Sequence, residues 1–162
     1  MNKSSEQIFA DDLVVGQTFV GVTHAIGDEQ FALFARLTGD DHPIHYDDAF
    51  AAKTRFGKRL AHGLLLMSMT ALGATAMSRQ LEDAMVAFVE QRCRFLKPIF
   101  VSDSVTSRFE VVAIDHKPHR NTSLVRFNVR LLSNAGETVL EGEHAYLLRR
   151  RGTAATGRSD AT

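Results

Sequence analysis

The sequence predicts an α+β domain, with an antiparallel sheet wrapped around one long central helix. Three observations carry this. From Leu60 to Ser78 the chain has no Lys, Arg, Asp or Glu. From Ala87 onward, apolar and polar residues alternate with the period of two expected of strands. The links between these blocks are short and polar, as antiparallel neighbours require. A sheet with one wet face and a helix apolar nearly all round bury each other.

The elements follow in chain order. Residues 1–10 are polar and aperiodic, and are expected to be a flexible N-terminal segment before a domain spanning 11–150. Thr18 to Ile26 is β-branched and aromatic enough for a strand. Asp28 reads as an N-cap, with Phe31, Phe34, Ala35 and Thr38 at helical spacing and Gly39 as a stop. Asp47 to Lys53 reads as a short second helix, and His62 to about Gln80 as the long one. In the first strand of the second half, Ala87, Val89, Gln91, Cys93 and Phe95 share the inward face, opposite Phe88, Glu90, Arg92 and Arg94. Two further strands alternate through Val105–Val111 and Val125–Leu131. The link Ser133-Asn134-Ala135-Gly136 leads to a last strand from about Thr138 to Leu148. Residues 151–162, rich in Gly, Ala, Ser and Thr, read as a flexible tail.

Composition narrows the function. A chain of 162 residues, 44% hydrophobic and 23% charged, suits one globular domain. Nineteen basic and nineteen acidic residues leave no basic surplus, which argues against a nucleic-acid partner. Cys93 stands alone and cannot form an internal disulfide, and no basic-then-apolar leader opens the chain, so a cytoplasmic setting is expected. The uncharged stretch contains His62, Gly63, Ser68, Thr70, Gly73 and Thr75 and has no counterpart elsewhere. It therefore reads as a buried helix, not a membrane span.

The chemistry concentrates in Leu37-Thr38-Gly39-Asp40-Asp41-His42-Pro43-Ile44-His45-Tyr46-Asp47. Pro43 forbids a continuing helix, so Asp40 and His45 are expected on a loop where their side chains converge. A carboxylate and an imidazole there can share a water and move protons at neutral pH. Phe56-Gly57-Lys58-Arg59-Leu60-Ala61-His62-Gly63 leads into the apolar helix. The first N–H groups of that helix lack internal acceptors, so a carbonyl oxygen can be polarised at Gly63. Such equipment suits adding or removing water beside a carbonyl.

These two segments, with the later Phe95-Leu96-Lys97-Pro98-Ile99-Phe100-Val101-x-Asp103, resemble the MaoC-like dehydratases, which include the (R)-specific enoyl-CoA hydratases. The resemblance runs from about Val14 to Leu148. It implies a hot-dog fold, a homodimer, and reversible syn addition of water to trans-2-enoyl thioesters of CoA or acyl carrier protein, with no cofactor. The family's catalytic pair falls on Asp40 and His45. Gly63 matches the glycine whose amide binds the thioester oxygen, and Ser68 a serine near the site. His42 stands where Asn is common, and His144 where a smaller residue is common.

Plainer readings stand beside these. Asp40 could cap a turn, Gly63 could serve close packing, and Ser68 could bond back within its helix. His62 reads as a hydrogen-bonding support at the helix start. The His and Asp residues of the loop also invite a metal reading, which Pro43 weakens by breaking helical ligand spacing. Gln91 is expected to brace the catalytic loop, Cys93 to be core, and Arg149-Arg150-Arg151 to be solvated or to meet CoA phosphates. The rival functions are a hot-dog acyl-CoA thioesterase and a non-catalytic acyl-thioester-binding module.

Overall fold

A computed structural model of the protein describes residues 6–151. Five antiparallel strands form one sheet in the order β1-β3-β4-β5-β2. They are β1 (Thr18–Ala25), β2 (Met85–Phe95), β3 (Ser104–Lys117), β4 (Thr122–Ser133) and β5 (Thr138–Arg149). Five α-helices lie among the described residues, beside three single 3-10 turns: α1 (Asp28–Thr38), α2 (Pro43–Tyr46), α3 (Asp48–Ala51), α4 (Gly63–Ser68) and α5 (Met77–Gln80). This is the hot-dog arrangement expected of the sequence. The inner face is read directly from alternation in β3 and β4, where Val105, Phe109, Val111, Val125, Phe127, Val129 and Leu131 are all buried. The outer face carries cross-strand ion pairs such as Arg126 with Glu143 at 3.0 Å.

The central element differs from expectation. Instead of one helix from His62 to Gln80, α4 is followed by a turn, a single 3-10 turn at Leu72–Ala74, and then α5. The apolar pattern is continuous, but hydroxyls compete for the carbonyls that a helix would use. Ser68 Oγ donates to Leu65 at 2.7 Å, Thr70 Oγ1 to Met67 at 2.6 Å, and Thr75 Oγ1 to Leu72 at 2.7 Å. Gly73 adds backbone freedom. Thr75 also makes an isolated strand-like pairing with Gly21 of β1. A Cβ on Gly21 would lie 2.1 Å from Ser107 Oγ, so any larger residue there would have to turn that hydroxyl aside where β1 lies against β3. The break divides the core. Leu65 and Leu66 pack with Ile26, Phe31, Leu131 and Leu140, whereas Leu72, Met77 and Leu81 pack with Phe109, Phe127 and Tyr146.

Strand β2 also departs from simple alternation. Its register against β5 shifts between Met85 and Ala87 and again between Phe88 and Glu90. Met85, Phe88 and Gln91 therefore face inward at a spacing of three, opposite Leu148, Tyr146 and His144. Phe88, expected on the wet face, stacks on Tyr146 with ring centroids 4.8 Å apart. Cys93 is half-buried and packs against the core around Leu65, Leu131 and Leu140, as expected, and burial raises its thiol pKa.

The ends differ too. Residues expected to be a loose leader are packed from Gln7 on: Ile8 N–H donates to Gln80 at 2.7 Å and Ala10 is fully buried. Arg150 and Arg151 keep part of their side chains in solvent, as expected, but pair with Asp11 and Asp12 and so tie the two ends of the described chain together. The remaining calls on residues 1–5 and 152–162 lie outside the described residues.

His144 is buried 2% exposed, and burial pushes its pKa down from 6.5 to about 4. Above pH 6.5 the ring is neutral in both folded and unfolded chains and adds no pH dependence. As pH falls through that value, the unfolded chain takes up a proton that the folded one refuses. Stability should then decline until about pH 4, by on the order of 3 kcal/mol from this group. Urea midpoints measured across this range should fall less steeply in His144→Leu than in the parent. Equal slopes would place the acid sensitivity elsewhere.

Candidate active site

The site is assembled where α1 stops. Gly39 takes a left-handed backbone (φ 77°) and its N–H closes the helix on Ala35 at 2.7 Å. Gly27, not Asp28, is the N-cap of this helix, because the Asp28 carboxylate is drawn to Arg59 at 2.6 Å. Arg59 also holds Asp48 at 2.8 Å. One guanidinium thus ties α1 and α3 to the strand-like stretch before α4, whose Ala61 N–H donates to Ile99 at 2.7 Å.

Pro43 does end α1's influence, but it also opens a new turn of helix as its first residue, where a missing N–H costs nothing. His45 therefore sits on α2, not on a loop. His42 caps this turn: its Nδ1 accepts from Ile44 N–H at 3.2 Å. Asp47 caps α3 through Phe50 N–H at 3.0 Å, which leaves the expected Asp47–Lys53 helix only one turn long.

Three side chains converge. One donor atom from each of Asp40, His45 and His62 lies within 4.8 Å of the others. Asp40 is exposed, His45 half-buried and His62 buried. His45 Nδ1 is 2.7 Å from the Leu60 carbonyl, which accepts its proton and leaves Nε2 as the basic nitrogen of the neutral ring. The His45 and His62 rings stack at 3.7 Å and 24°. Desolvation, then the proximity of His45, lowers the His62 pKa. A neutral His62 therefore lies beneath the His45 ring.

Tyr46 organises the group. Its hydroxyl lies 2.9 Å from His62 Nε2, 3.0 Å from the Phe31 carbonyl and 3.1 Å from the Asp40 carbonyl. The phenol donates to a carbonyl and accepts from His62 Nε2–H. That tautomer leaves the buried, unpartnered His62 Nδ1 as a bare acceptor and not a stranded donor. Desolvation and the neighbouring Asp40 raise the Tyr46 pKa, so it stays a phenol.

Gly63 is the first residue of α4, where an N–H has no intrahelical acceptor. The Phe95 ring covers its Cα, and a Cβ there would meet ring carbons at 3.1–3.4 Å. Its amide directly follows His62, one of the three converging side chains, which is the N-cap of α4.

The family described as MaoC like domain matches residues 12–135. This chain belongs to that family. It is 33% identical over 135 residues to an (R)-specific enoyl-CoA hydratase of Aeromonas caviae, covering 83% of this chain and 94% of that one. It is 27% identical to a mitochondrial 3-hydroxyacyl-[acyl-carrier-protein] dehydratase of Arabidopsis thaliana, covering 78% and 72%. The solved structure of the unliganded R-hydratase PhaJ1 of Pseudomonas aeruginosa superimposes with a TM-score of 0.73 at 28% identity, covering 96% of this chain and 97% of that one.

Within this MaoC like domain, Ser68 lies apart from the converging group. It lines a cleft of about 1270 Å³ between the central segment and β2–β5, together with Met67, Thr70, Phe88, Gln91 and His144. Its Oγ bonds back to Leu65. Gln91 does not brace the catalytic loop; its Nε2 donates to Thr70 Oγ1 at 3.2 Å. Asp40, His45 and His62 are near enough to hold a metal ion, and His45 Nδ1 is already engaged by the Leu60 carbonyl. Among the described residues no helix is long and apolar enough to cross a membrane. Tyr46 was missed by motif reading because it occupies the unspecified position between His45 and Asp47.

Tyr46→Phe should cost about 1–2 kcal/mol in urea unfolding, since it strands His62 Nε2–H and a backbone carbonyl. It should also move the His62 titration seen in proton NMR. An unchanged midpoint and an unchanged titration would remove Tyr46 from this role.

Proposed function

We propose that this chain reversibly hydrates trans-2-enoyl thioesters, carried on CoA or acyl carrier protein, to (R)-3-hydroxyacyl thioesters. The observation that carries the reading is the convergence of the Asp40 carboxylate and the His45 ring with His62, the residue that leads into Gly63 at the start of α4. The names borne by the similar hydratase and dehydratase chains support the substrate class and the hand of the product. A water held between Asp40 and His45 Nε2 loses a proton to the pair as its oxygen bonds C3. The pair returns one proton to C2, so it ends in its starting state. Negative charge grows on the thioester oxygen as water adds, and the Gly63 N–H favours that charge over the ground state. His42 and His62 shape the turn and the stack around the pair, and Ser68 faces the acyl cleft. No step calls on a metal or a cofactor.

The functional unit in this reading is a homodimer acting in the cytoplasm. Strand β2 is a sheet edge, and Val86, Phe88, Val89, Phe95 and Leu96 on and beside it are each about half exposed. A free edge with so much apolar surface calls for a second strand. A second copy supplies one by symmetry.

Asp40→Asn and His45→Gln should each lower hydration of an enoyl-CoA by about 10²–10⁴-fold with circular dichroism unchanged. Loss of the conjugated thioester absorbance follows the rate, chiral chromatography of the product gives its hand, and a chelator should leave the parent rate intact. Gly63→Val should lower turnover more than stability. Near-normal turnover in both folded pair variants would remove Asp40 and His45 from the mechanism, and release of free thiol would favour hydrolysis. Light scattering at micromolar concentration should give twice the chain mass, and Val89→Lys should shift it toward one chain. A monomeric parent with full activity would overturn the dimer.

A further inference from the structure

We propose that the cleft beside α4 selects acyl groups bearing a neutral oxygen, hydroxyl or carbonyl, several carbons beyond the reacting double bond, and that Gln91 receives it. This rests on the hydration reading above and names the substrate class within it.

The cleft contains a polar network whose hydrogens can be assigned one by one. Thr70 Oγ1 has a single hydrogen, donated to the Met67 carbonyl at 2.6 Å. The Gln91 and His144 nitrogens facing that oxygen, Nε2 in each case, at 3.2 Å and 3.3 Å, must therefore both be donors. A neutral His144 protonated on Nε2 then accepts at Nδ1, 3.3 Å from the Tyr146 hydroxyl. The Tyr146 oxygen is in turn stabilised by a hydrogen bond from the Leu72 backbone. Every group of the network is engaged except one end of Gln91. Its Oε1 and its second N–H have no partner among the described residues, and Gln91 lines the cleft.

A plain hydrocarbon tail would lie against that carboxamide and leave it unpaired. A hydroxyl or carbonyl would complete it. Charge excludes the anionic alternative: the lining holds Arg79 against Glu82 and Asp83, one cation to two anions, which disfavours a terminal carboxylate. Position follows from helix geometry. Met67 and Ser68, at the far end of α4, border the cleft. Ser68 is about 7.5 Å along the axis from Gly63 at 1.5 Å per residue. An extended chain advances roughly 1.2 Å per bond, so the oxygen belongs near the seventh carbon.

The test uses the unmodified protein and a panel of CoA thioesters: trans-2-butenoyl, trans-2-octenoyl, and octenoyl chains with a hydroxyl, a keto oxygen or a carboxylate at the far end. The hydroxyl or keto chain should show kcat/KM about 10–100-fold above plain octenoyl, and the carboxylate chain should fall below both. Gln91→Leu should bring the oxygenated-to-plain ratio close to one. Equal or lower values for the oxygenated chains in the parent, with butenoyl still hydrated, would overturn the proposal. So would a ratio unmoved in a folded Gln91→Leu. No turnover of butenoyl would instead overturn the hydration reading. If Gln91→Leu does not fold, the parent's panel decides alone.

Discussion

Five strands present one concave apolar face, and the segment from Leu60 to Gln80 has to cover it. The constraint is sharp because the covering segment must also deliver an unpaired amide at one end and a cleft further along. A straight helix would give the first and deny the second. The hydroxyls of Ser68, Thr70 and Thr75 let the segment change direction without stranding its carbonyls. Apolar burial holds the segment on the sheet, and hydroxyl bonding decides its path. The split of the core into two packed groups follows from that path.

The active-site geometry depends on the same segment at its start. The Leu60 carbonyl fixes the tautomer of His45, and His62, two residues later, stacks under that ring. Two imidazoles in contact cannot both carry charge cheaply. Burial lowers the His62 pKa and keeps that ring neutral, while His45 is the less buried ring of the stack. Arg59 holds the surrounding helices in place from a nearly buried position, with both carboxylates supplied by neighbouring elements.

Strands β3 and β4 were legible in the sequence because Val105–Val111 and Val125–Leu131 alternate without interruption and owe their facing to local pattern. Asp40 and His45 were legible because their spacing around Pro43 has few structural uses. What stayed hidden depends on partners distant in the chain. Nothing near Thr70 announces that His144 and Gln91 meet it, so the polar network of the cleft could not be read. The facing of Phe88 depends on two register shifts against β5, which no alternation rule contains. Asp28 was assigned a cap role by residue type, and an arginine thirty-one positions later claimed its carboxylate instead.

The extra residues in β2 constrain how this chain can vary. Met85, Phe88 and Gln91 point inward only because Val86 and Val89 are accommodated as bulges. Substitution at either valine leaves that phase intact. Deletion of either valine would only remove a bulge, leaving Met85, Phe88 and Gln91 opposite the same residues of β5. Loss of a residue from the regularly paired stretch Gln91–Phe95 would instead turn the side chains beyond it to the opposite face, exchanging cleft wall for sheet exterior in a single step. The two bulges are therefore where this strand can lose a residue and keep its facing.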